Sequence, residues 1–275
     1  MCLRSFLTAS ALLALTACST VPITGRSQLN LIPGNSMMSM SYQQYDTFLK
    51  EHTLSANKEQ TAMVKRVGAR VQDAVERYFA AGGKSSLLAG YRWEFNLVED
   101  KQVNAWCMPG GKVVVYSGIL PLTRGDAGLA VVMGHEIAHA VAQHGNERMS
   151  QELLTQFGGM ALGEALAARP EATQQLWMTM YGAGVKYGAL MPYSRLQESE
   201  ADRLGLIFMA MAGYDPQEAI PFWQRMAAQK GGQSPPEFLS THPSDATRID
   251  NLRRLIPEAA RYYSKGAPAG AGSAP

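Results

Sequence analysis

The sequence predicts a single α+β domain that is mostly helical and carries one small three-stranded sheet. Apolar residues recur at helical spacing through most of the chain, and they alternate with polar residues only between about residues 91 and 116. The composition agrees, because 275 residues that are 46% hydrophobic and 17% charged suffice for an enzyme-sized globular domain. A formal net charge of +2 argues against a strongly basic nucleic-acid-binding protein.

Two helices are expected in the first third of the chain. Helix-period apolar positions run from about Pro33 to Phe48 and again from about Lys58 to Phe79. Gly82 and Gly83 then supply a stop signal for the second helix.

The period changes after these glycines. Residues 91–97 alternate in polarity, as in a half-buried strand. Residues 103–107 and 112–116 flank the turn sequence Pro109-Gly110-Gly111, which predicts a hairpin. Beyond residue 125 the pattern is helical almost to the end.

The first residues resemble a secretion signal. Arg4 precedes an apolar run from Phe6 to Ala17, which is shorter than the ~20 residues of a membrane-spanning helix. The run ends in Leu15-Thr16-Ala17-Cys18, which resembles the lipobox of bacterial lipoproteins. That resemblance implies cleavage before Cys18 and attachment of a lipid to its sulfur. The alternative is an ordinary secretory signal with a chance cysteine.

These observations predict four segments: a signal peptide over residues 1–17, a lipid-anchored tether over 18–32, a folded domain over 33–264 and a Gly/Ala/Pro/Ser-rich tail over 265–275. Lipoproteins retained in the inner membrane usually carry aspartate after the lipidated cysteine, whereas this chain has Ser19. The expected location is therefore the periplasmic face of the outer membrane, with membrane contact through the lipid alone.

A metal-binding motif lies in the helical half. Residues 135–139 read HExxH, and His135 and His139 lie about 40° apart around a helix, so both can bind one ion from one face. Glu136 can take a proton from water beside that metal. The helix is expected from about Asp126 to His144, with Gly145 as its stop. On that single helix His144 would face away from the metal.

The third zinc ligand must come from elsewhere in the chain. A metzincin would need histidine at position 145, where this sequence has glycine, so that class is excluded. Ser194 can begin a helix on which Glu198 and Asp202 share a face. Glu198 can then bind zinc, while Asp202 accepts the outer N–H of a ligand histidine. Standing alone, these acidic residues would only mark an exposed helix start; Glu200 would point away.

Four ordered motifs resemble the peptidase family of the CAAX prenyl protease and the mitochondrial Oma protease. They are the NAW segment at 104–106, HExxH, the SRxxExEADRxG segment at 194–205, and Thr241-His242-Pro243. The resemblance covers roughly residues 33–257 and is closest in layout to lipid-anchored bacterial members. It implies a zincin-like metallopeptidase domain with an HExxH helix at its active site.

The resemblance also implies roles for individual residues. His135, His139 and Glu198 would hold one zinc ion, Glu136 would be the general base, and Asp202 would assist. His242 would lie near the zinc, where it could bind the metal, stabilise the intermediate, or serve only the structure of its loop.

The family resemblance also implies roles for two residues that precede HExxH in the chain. Asn104 and Ala105 would form a sheet edge at which an extended substrate adds as a strand, although a plain hairpin strand fits the sequence equally well. Cys107 is expected to be a buried small hydrophobe. A peptide deformylase would use such a cysteine as a ligand, but it would leave Glu198 unexplained.

The function expected from these features is that of a zinc metalloendopeptidase cleaving misfolded or unassembled envelope proteins. The alternative is a lipoprotein that assists outer-membrane protein assembly and keeps a largely latent zinc site. No nucleic-acid partner is expected.

Overall fold

A computed structural model describes residues 18–22, 24–157, 171, 173, 175–177, 193–229, 237–242 and 247–263. The predicted signal peptide and the predicted tail lie outside these residues. The described architecture is mostly helical with a small mixed sheet, so the predicted fold class is confirmed.

Two short strands lie at the start of the described chain. Strand β1 (Cys18–Thr20) pairs antiparallel with β2 (Ser27–Leu29). Val21 is fully buried in the main core, and the buried side chain of Gln28 donates to the carbonyl of Ala142 at 2.9 Å. Part of the segment predicted as a tether therefore packs against the domain.

Two long helices follow where the periodicity predicts them. Helix α1 spans Gly34–Glu51, and α2 spans Lys58–Ala81 with Gly82 as its C-cap. The buried face of α2 carries Val64, Val67, Val71 and Val75, which pack into the main core.

The three-stranded sheet has the order β3-β5-β4. It comprises β3 (Glu94–Val98), β4 (Ala105–Met108) and β5 (Lys112–Tyr116). The predicted hairpin is confirmed by the antiparallel pairing of β4 with β5, and β3 runs parallel to β5. In the described part of the chain, β4 is an edge strand of this sheet.

The helical half begins with a short turn, α3 (Leu120–Thr123), and continues with α4 (Asp126–Val141), which carries HExxH. The predicted end of this helix at His144 is wrong. Helix α4 ends at Val141, Gln143 adopts a left-handed conformation (φ 59°), and His144 begins the next helix, α5 (His144–Phe157). A kinked connection at Gln143 therefore replaces the predicted stop at Gly145.

Further helices complete the described part of the chain. Helix α6 (Arg195–Met211) starts with a capping box between Ser194 and Gln197 and packs along α4. Helices α7 (Ala219–Ala228), α8 (Glu237–Thr241) and α9 (Arg248–Tyr263) follow. Within the described ranges, no helix is both long and apolar enough to cross a bilayer.

Glycines allow α4 and α6 to lie very close together. A Cβ atom on Gly205 would stand 2.9 Å from the backbone nitrogen of His135, and one on Gly134 would stand 2.9 Å from the carbonyl oxygen of Gly205. Real Cβ atoms do not approach backbone so closely, so both positions require glycine. The close crossing brings the HExxH helix next to the helix that carries Glu198.

Candidate metal centre

Four buried side chains meet in one cluster: two come from α4, one from α6 and one from the residue just after α8. Nε2 of His135 lies 3.1 Å from Nε2 of His139 and 3.2 Å from Nδ1 of His242. Oε1 of Glu198 lies 2.9 Å from that Nδ1 and 3.3 Å from Nε2 of His139. All four residues are at most 4% exposed.

These donor atoms fit a metal ion. All four lie within 4.8 Å of one another. Zinc bonds of ~2.0–2.1 Å in a tetrahedron place neighbouring ligand atoms about 3.3 Å apart, close to the spacing found here. Imidazole nitrogens and a carboxylate oxygen are also donor types that zinc accepts. The cluster can therefore hold a metal.

Glu136 lies beside this cluster on α4. Its side chain is buried, and Oε1 has no hydrogen-bond partner within the described structure, although Nε2 of His242 stands 3.2 Å away. Burial raises the pKa of Glu136. A buried carboxylate this close to the donor atoms is placed to accept a proton from a water molecule bound there.

Two charged groups hold the ligands from behind. Oδ1 of Asp202 lies 3.1 Å from Nδ1 of His135, on the side of the ring opposite the cluster. Arg248 donates to Oδ1 of Asp202 at 2.6 Å and to Oε2 of Glu198 at 2.8 Å, and its guanidinium lies 3.4 Å from the ring centre of Trp223. The acidic pair four residues apart on α6 thus shares one arginine.

His144 touches the site, contrary to the prediction that it faces away. Because the chain turns at Gln143, the ring of His144 swings back, and its Nδ1 lies 2.9 Å from Nδ1 of His139. Nε2 of His144 lies 3.2 Å from Oε2 of Glu200. Glu200 does point away from the metal cluster, as predicted, but it supports a ligand through this histidine.

The charge state of Glu200 is set by its surroundings. Burial alone would raise the pKa of Glu200, but hydrogen bonds from His144, Arg26 and Thr24 lower it to about 2. Glu200 is therefore ionised at neutral pH.

Aromatic rings cover the cluster. Tyr193 stacks on His139 with ring centres 3.8 Å apart, and Phe238 stacks on His242 at 4.5 Å. The backbone N–H of Tyr193 donates to the carbonyl of Thr241 at 3.0 Å, which ties the start of α6 to the end of α8. Sequence reasoning did not find Tyr193, because nothing in a lone tyrosine before a helix cap marks it as a site residue.

An open cleft reaches His139 from the side of the sheet. Asn104 precedes β4 and Ala105 begins it, and both are buried. Oδ1 of Asn104 accepts from the backbone of Ala105 at 2.9 Å, while its Nδ2 has no partner in the described structure. Cys107 is a buried free thiol whose pKa burial raises well above its usual range. The apolar lining of the cleft includes Met37, Met38, Leu87, Tyr91, Cys107 and Pro109.

The chain is similar to a known peptidase family and to individual metalloendopeptidases. A sequence model described as Peptidase family M48 matches residues 65–256, which include all four donor residues. The mitochondrial metalloendopeptidase OMA1 of Schizosaccharomyces pombe is 35% identical over 243 residues, covering 87% of this chain and 66% of that protein.

Two further relatives extend the comparison. The human mitochondrial metalloendopeptidase OMA1 is 32% identical over 86% of this chain and 46% of its own length. The beta-barrel assembly-enhancing protease of Escherichia coli is 33% identical over 58% of this chain and 34% of its own length. The chain thus spans between about a third and two thirds of these relatives. With the family model covering most of the chain and the donor cluster in place, this protein belongs to peptidase family M48.

Proposed function

We propose that this chain is a zinc-dependent metalloendopeptidase. The observation that carries the proposal is the carboxylate of Glu136, which is buried beside four convergent donor atoms, with its Oε1 3.2 Å from Nε2 of His242. A cluster that served only to stabilise the fold would have little use for a further buried carboxylate, because burying a charged group costs free energy.

His135, His139 and Glu198 would hold the zinc ion. When bound, zinc supplies Lewis-acid polarisation of a peptide carbonyl and of water. Asp202 accepts the Nδ1 proton of His135, which leaves the Nε2 lone pair directed at the cluster. Arg248 keeps the carboxylates of Glu198 and Asp202 in place.

Glu136 performs the proton transfers of this reaction. Its Oε1 accepts a proton from the attacking water and returns it to the amine of the leaving peptide.

The substrates are extended segments of unfolded proteins. An edge strand can bind such a segment by main-chain hydrogen bonds, and β4 is the edge strand next to α4. Asn104 and Ala105 lie at the start of that strand, but both are buried, so contact with the segment there would require that they be uncovered. The cleft beside His139 would then take an apolar side chain, because Met37, Met38 and Leu87 line it.

The protein acts on the periplasmic face of the outer membrane, attached by a lipid on Cys18, and cleaves misfolded or unassembled envelope proteins. The lipobox-like sequence before Cys18 supports the anchor. The name of the Escherichia coli relative, beta-barrel assembly-enhancing protease, supports a substrate of this kind.

His242 favours a second candidate function. With Nδ1 among the donor atoms, His242 can fill the fourth position that a catalytic zinc leaves open for water. A chain held in that state would assist assembly of outer-membrane proteins as a binding protein with a latent metal site.

Cleavage of an unfolded protein such as casein tests the two functions. We expect cleavage by the zinc-loaded protein, its loss on chelation and its recovery on adding zinc. If zinc-loaded protein leaves casein intact while a Glu136→Gln variant suppresses aggregation of an unfolded outer-membrane protein, the second function replaces the first.

A further inference from the structure

Arg26, which lies between β1 and β2, contacts two buried carboxylates with its guanidinium. Its guanidinium donates to Oε1 and Oε2 of Glu147 on α5 at 2.6 and 2.8 Å. It also donates to the two oxygens of Glu200 on α6 at 3.0 and 2.9 Å. Both carboxylates are almost fully buried, while the Arg26 side chain is 22% exposed. One cation thus joins two helices that carry or support the metal ligands.

The contact continues from Glu200 to the donor cluster. Oε2 of Glu200 lies 3.2 Å from Nε2 of His144, and Nδ1 of His144 lies 2.9 Å from Nδ1 of His139. Thr24, on the same segment as Arg26, donates its hydroxyl to Oε1 of Glu200 at 2.6 Å. Thr24 and Arg26 are therefore each linked to the candidate ligand His139 through two intervening side chains. These are the side chains of Glu200 and His144.

When Nε2 of His139 binds the metal, only one arrangement of protons satisfies this chain of contacts. His139 directs Nε2 at the other donor atoms, so its proton lies on Nδ1 and is donated to Nδ1 of His144. His144 then carries its own proton on Nε2 and donates it to the carboxylate of Glu200. Glu200 must stay in place to accept this hydrogen bond for the order to hold.

We propose that Arg26 is a positioning residue of the metal site, acting through Glu200 and His144 on the ring of His139. The proposal rests on the metal site proposed above. Arg26 fixes the Glu200 carboxylate, which selects the tautomer of His144, and that tautomer accepts the Nδ1 proton of His139. Without Arg26, the carboxylates of Glu147 and Glu200 face each other without the cation they share.

A second arginine on α6 provides a matched control. Arg203 binds the carboxylate of Glu258 on α9 through two hydrogen bonds of 2.8 Å. This pair also joins two helices with a bidentate ion pair, but it links α6 to α9 rather than to His144. If Arg26 only held elements together, replacing either arginine would have the same kind of effect.

The test compares Arg26→Gln with Arg203→Gln in the full chain. Zinc affinity is measured by competition with a chromophoric chelator, and the melting temperature of the metal-free protein is measured separately. We expect Arg26→Gln to weaken zinc binding by about 10–100-fold, the usual effect of losing support behind a ligand. Arg203→Gln is expected to lower the melting temperature without changing zinc affinity.

Two further measurements keep the proposal open to refutation. Glu200→Gln, which preserves the side-chain shape, should weaken zinc binding like Arg26→Gln, and it replaces that variant if Arg26→Gln does not fold. Nitrogen NMR of histidine-labelled protein should show His144 protonated on Nε2 in the wild type and a changed signal in Arg26→Gln.

Zinc affinity that is equal in wild type, Arg26→Gln and Glu200→Gln would overturn the positioning role. That result is distinct from failure of the proposed function, which would appear as zinc-loaded wild-type protein that binds the metal and leaves casein intact.

Discussion

Nε2 of His242 lies 3.2 Å from Oε1 of Glu136, while Nδ1 of the same ring lies 2.9 Å from Oε1 of Glu198. One imidazole therefore contacts both the candidate base and a candidate ligand. Any movement of His242 would change the surroundings of the candidate metal centre and of the candidate base together. Replacing His242 can therefore show whether this ring keeps the site latent or takes part in catalysis.

Replacing Glu136 by glutamine should abolish peptide hydrolysis while zinc stays bound. The amide cannot accept the proton from water, and Glu136 is not among the four clustered donors. We expect turnover to fall by at least ~10²-fold, measured on casein alongside zinc content. Loss of zinc together with activity, or retained activity, would remove Glu136 from its role.

Replacing His242 by alanine should raise basal proteolysis, including self-cleavage. The ring supplies one of the four clustered donors, so its removal opens a position to water. Turnover and melting temperature are measured side by side.

Other outcomes for His242→Ala would assign a different role to this residue. A fall in turnover of roughly 10²–10³-fold would mark a hydrogen-bond donor to the intermediate instead. Lower stability with unchanged turnover per folded molecule would mark a structural residue. If neither quantity changed, every role considered for His242 would be discarded.

Replacing Asp202 by asparagine should weaken zinc binding by about 10–100-fold, because the charge that holds Nδ1 of His135 is lost. Chelator competition measures the change. Asp250→Asn is the control, since Asp250 is an exposed residue paired with Arg253. An unchanged affinity in Asp202→Asn would show that His135 needs no support from this carboxylate.

Replacing Gly205 by alanine should lower the melting temperature, although alanine alone favours a helix by about 1 kcal/mol. The new Cβ would stand 2.9 Å from the backbone nitrogen of His135, so α4 and α6 must separate. Overpacking of this kind costs about 1–3 kcal/mol. Gly82→Ala is the control, because its Cβ would meet nothing closer than 3.7 Å. Equal melting temperatures for the two variants would contradict the close crossing.

Replacing Cys18 by serine should block lipidation and leave the protein unprocessed or mislocalised, because only the thiol accepts the lipid. Mass spectrometry of the N-terminal peptide and membrane fractionation measure the change. A serine variant that still fractionates with the outer membrane would show that Cys18 is not the anchor.

The sequence predicted the parts of the site that follow from local spacing. HExxH places two histidines on one helical face, and the capping box at Ser194 sets where Glu198 and Asp202 fall on theirs. The alternation of residues 91–97 likewise predicted β3, and Pro109-Gly110-Gly111 predicted the hairpin.

What the sequence did not predict depends on contacts between distant segments. The turn at Gln143 contains neither glycine nor proline, so the sequence predicts one continuous helix there. On that helix His144 would lie on the side away from His139. Arg26 lies in a segment without apolar periodicity, and only the folded chain brings it to Glu147 and Glu200. The parallel pairing of β3 with β5 is likewise a property of the whole fold.

The edge position of β4 has a consequence for which proteins can be recognised. A segment that pairs with an edge strand must offer free main-chain donors and acceptors over several consecutive residues, and native proteins have already used theirs in helices and sheets. Recognition at this edge would therefore report the folding state of a protein rather than its sequence. Unpaired main-chain donors and acceptors also drive misfolded chains to aggregate. The chains most prone to aggregation would therefore be the ones that bind at this edge.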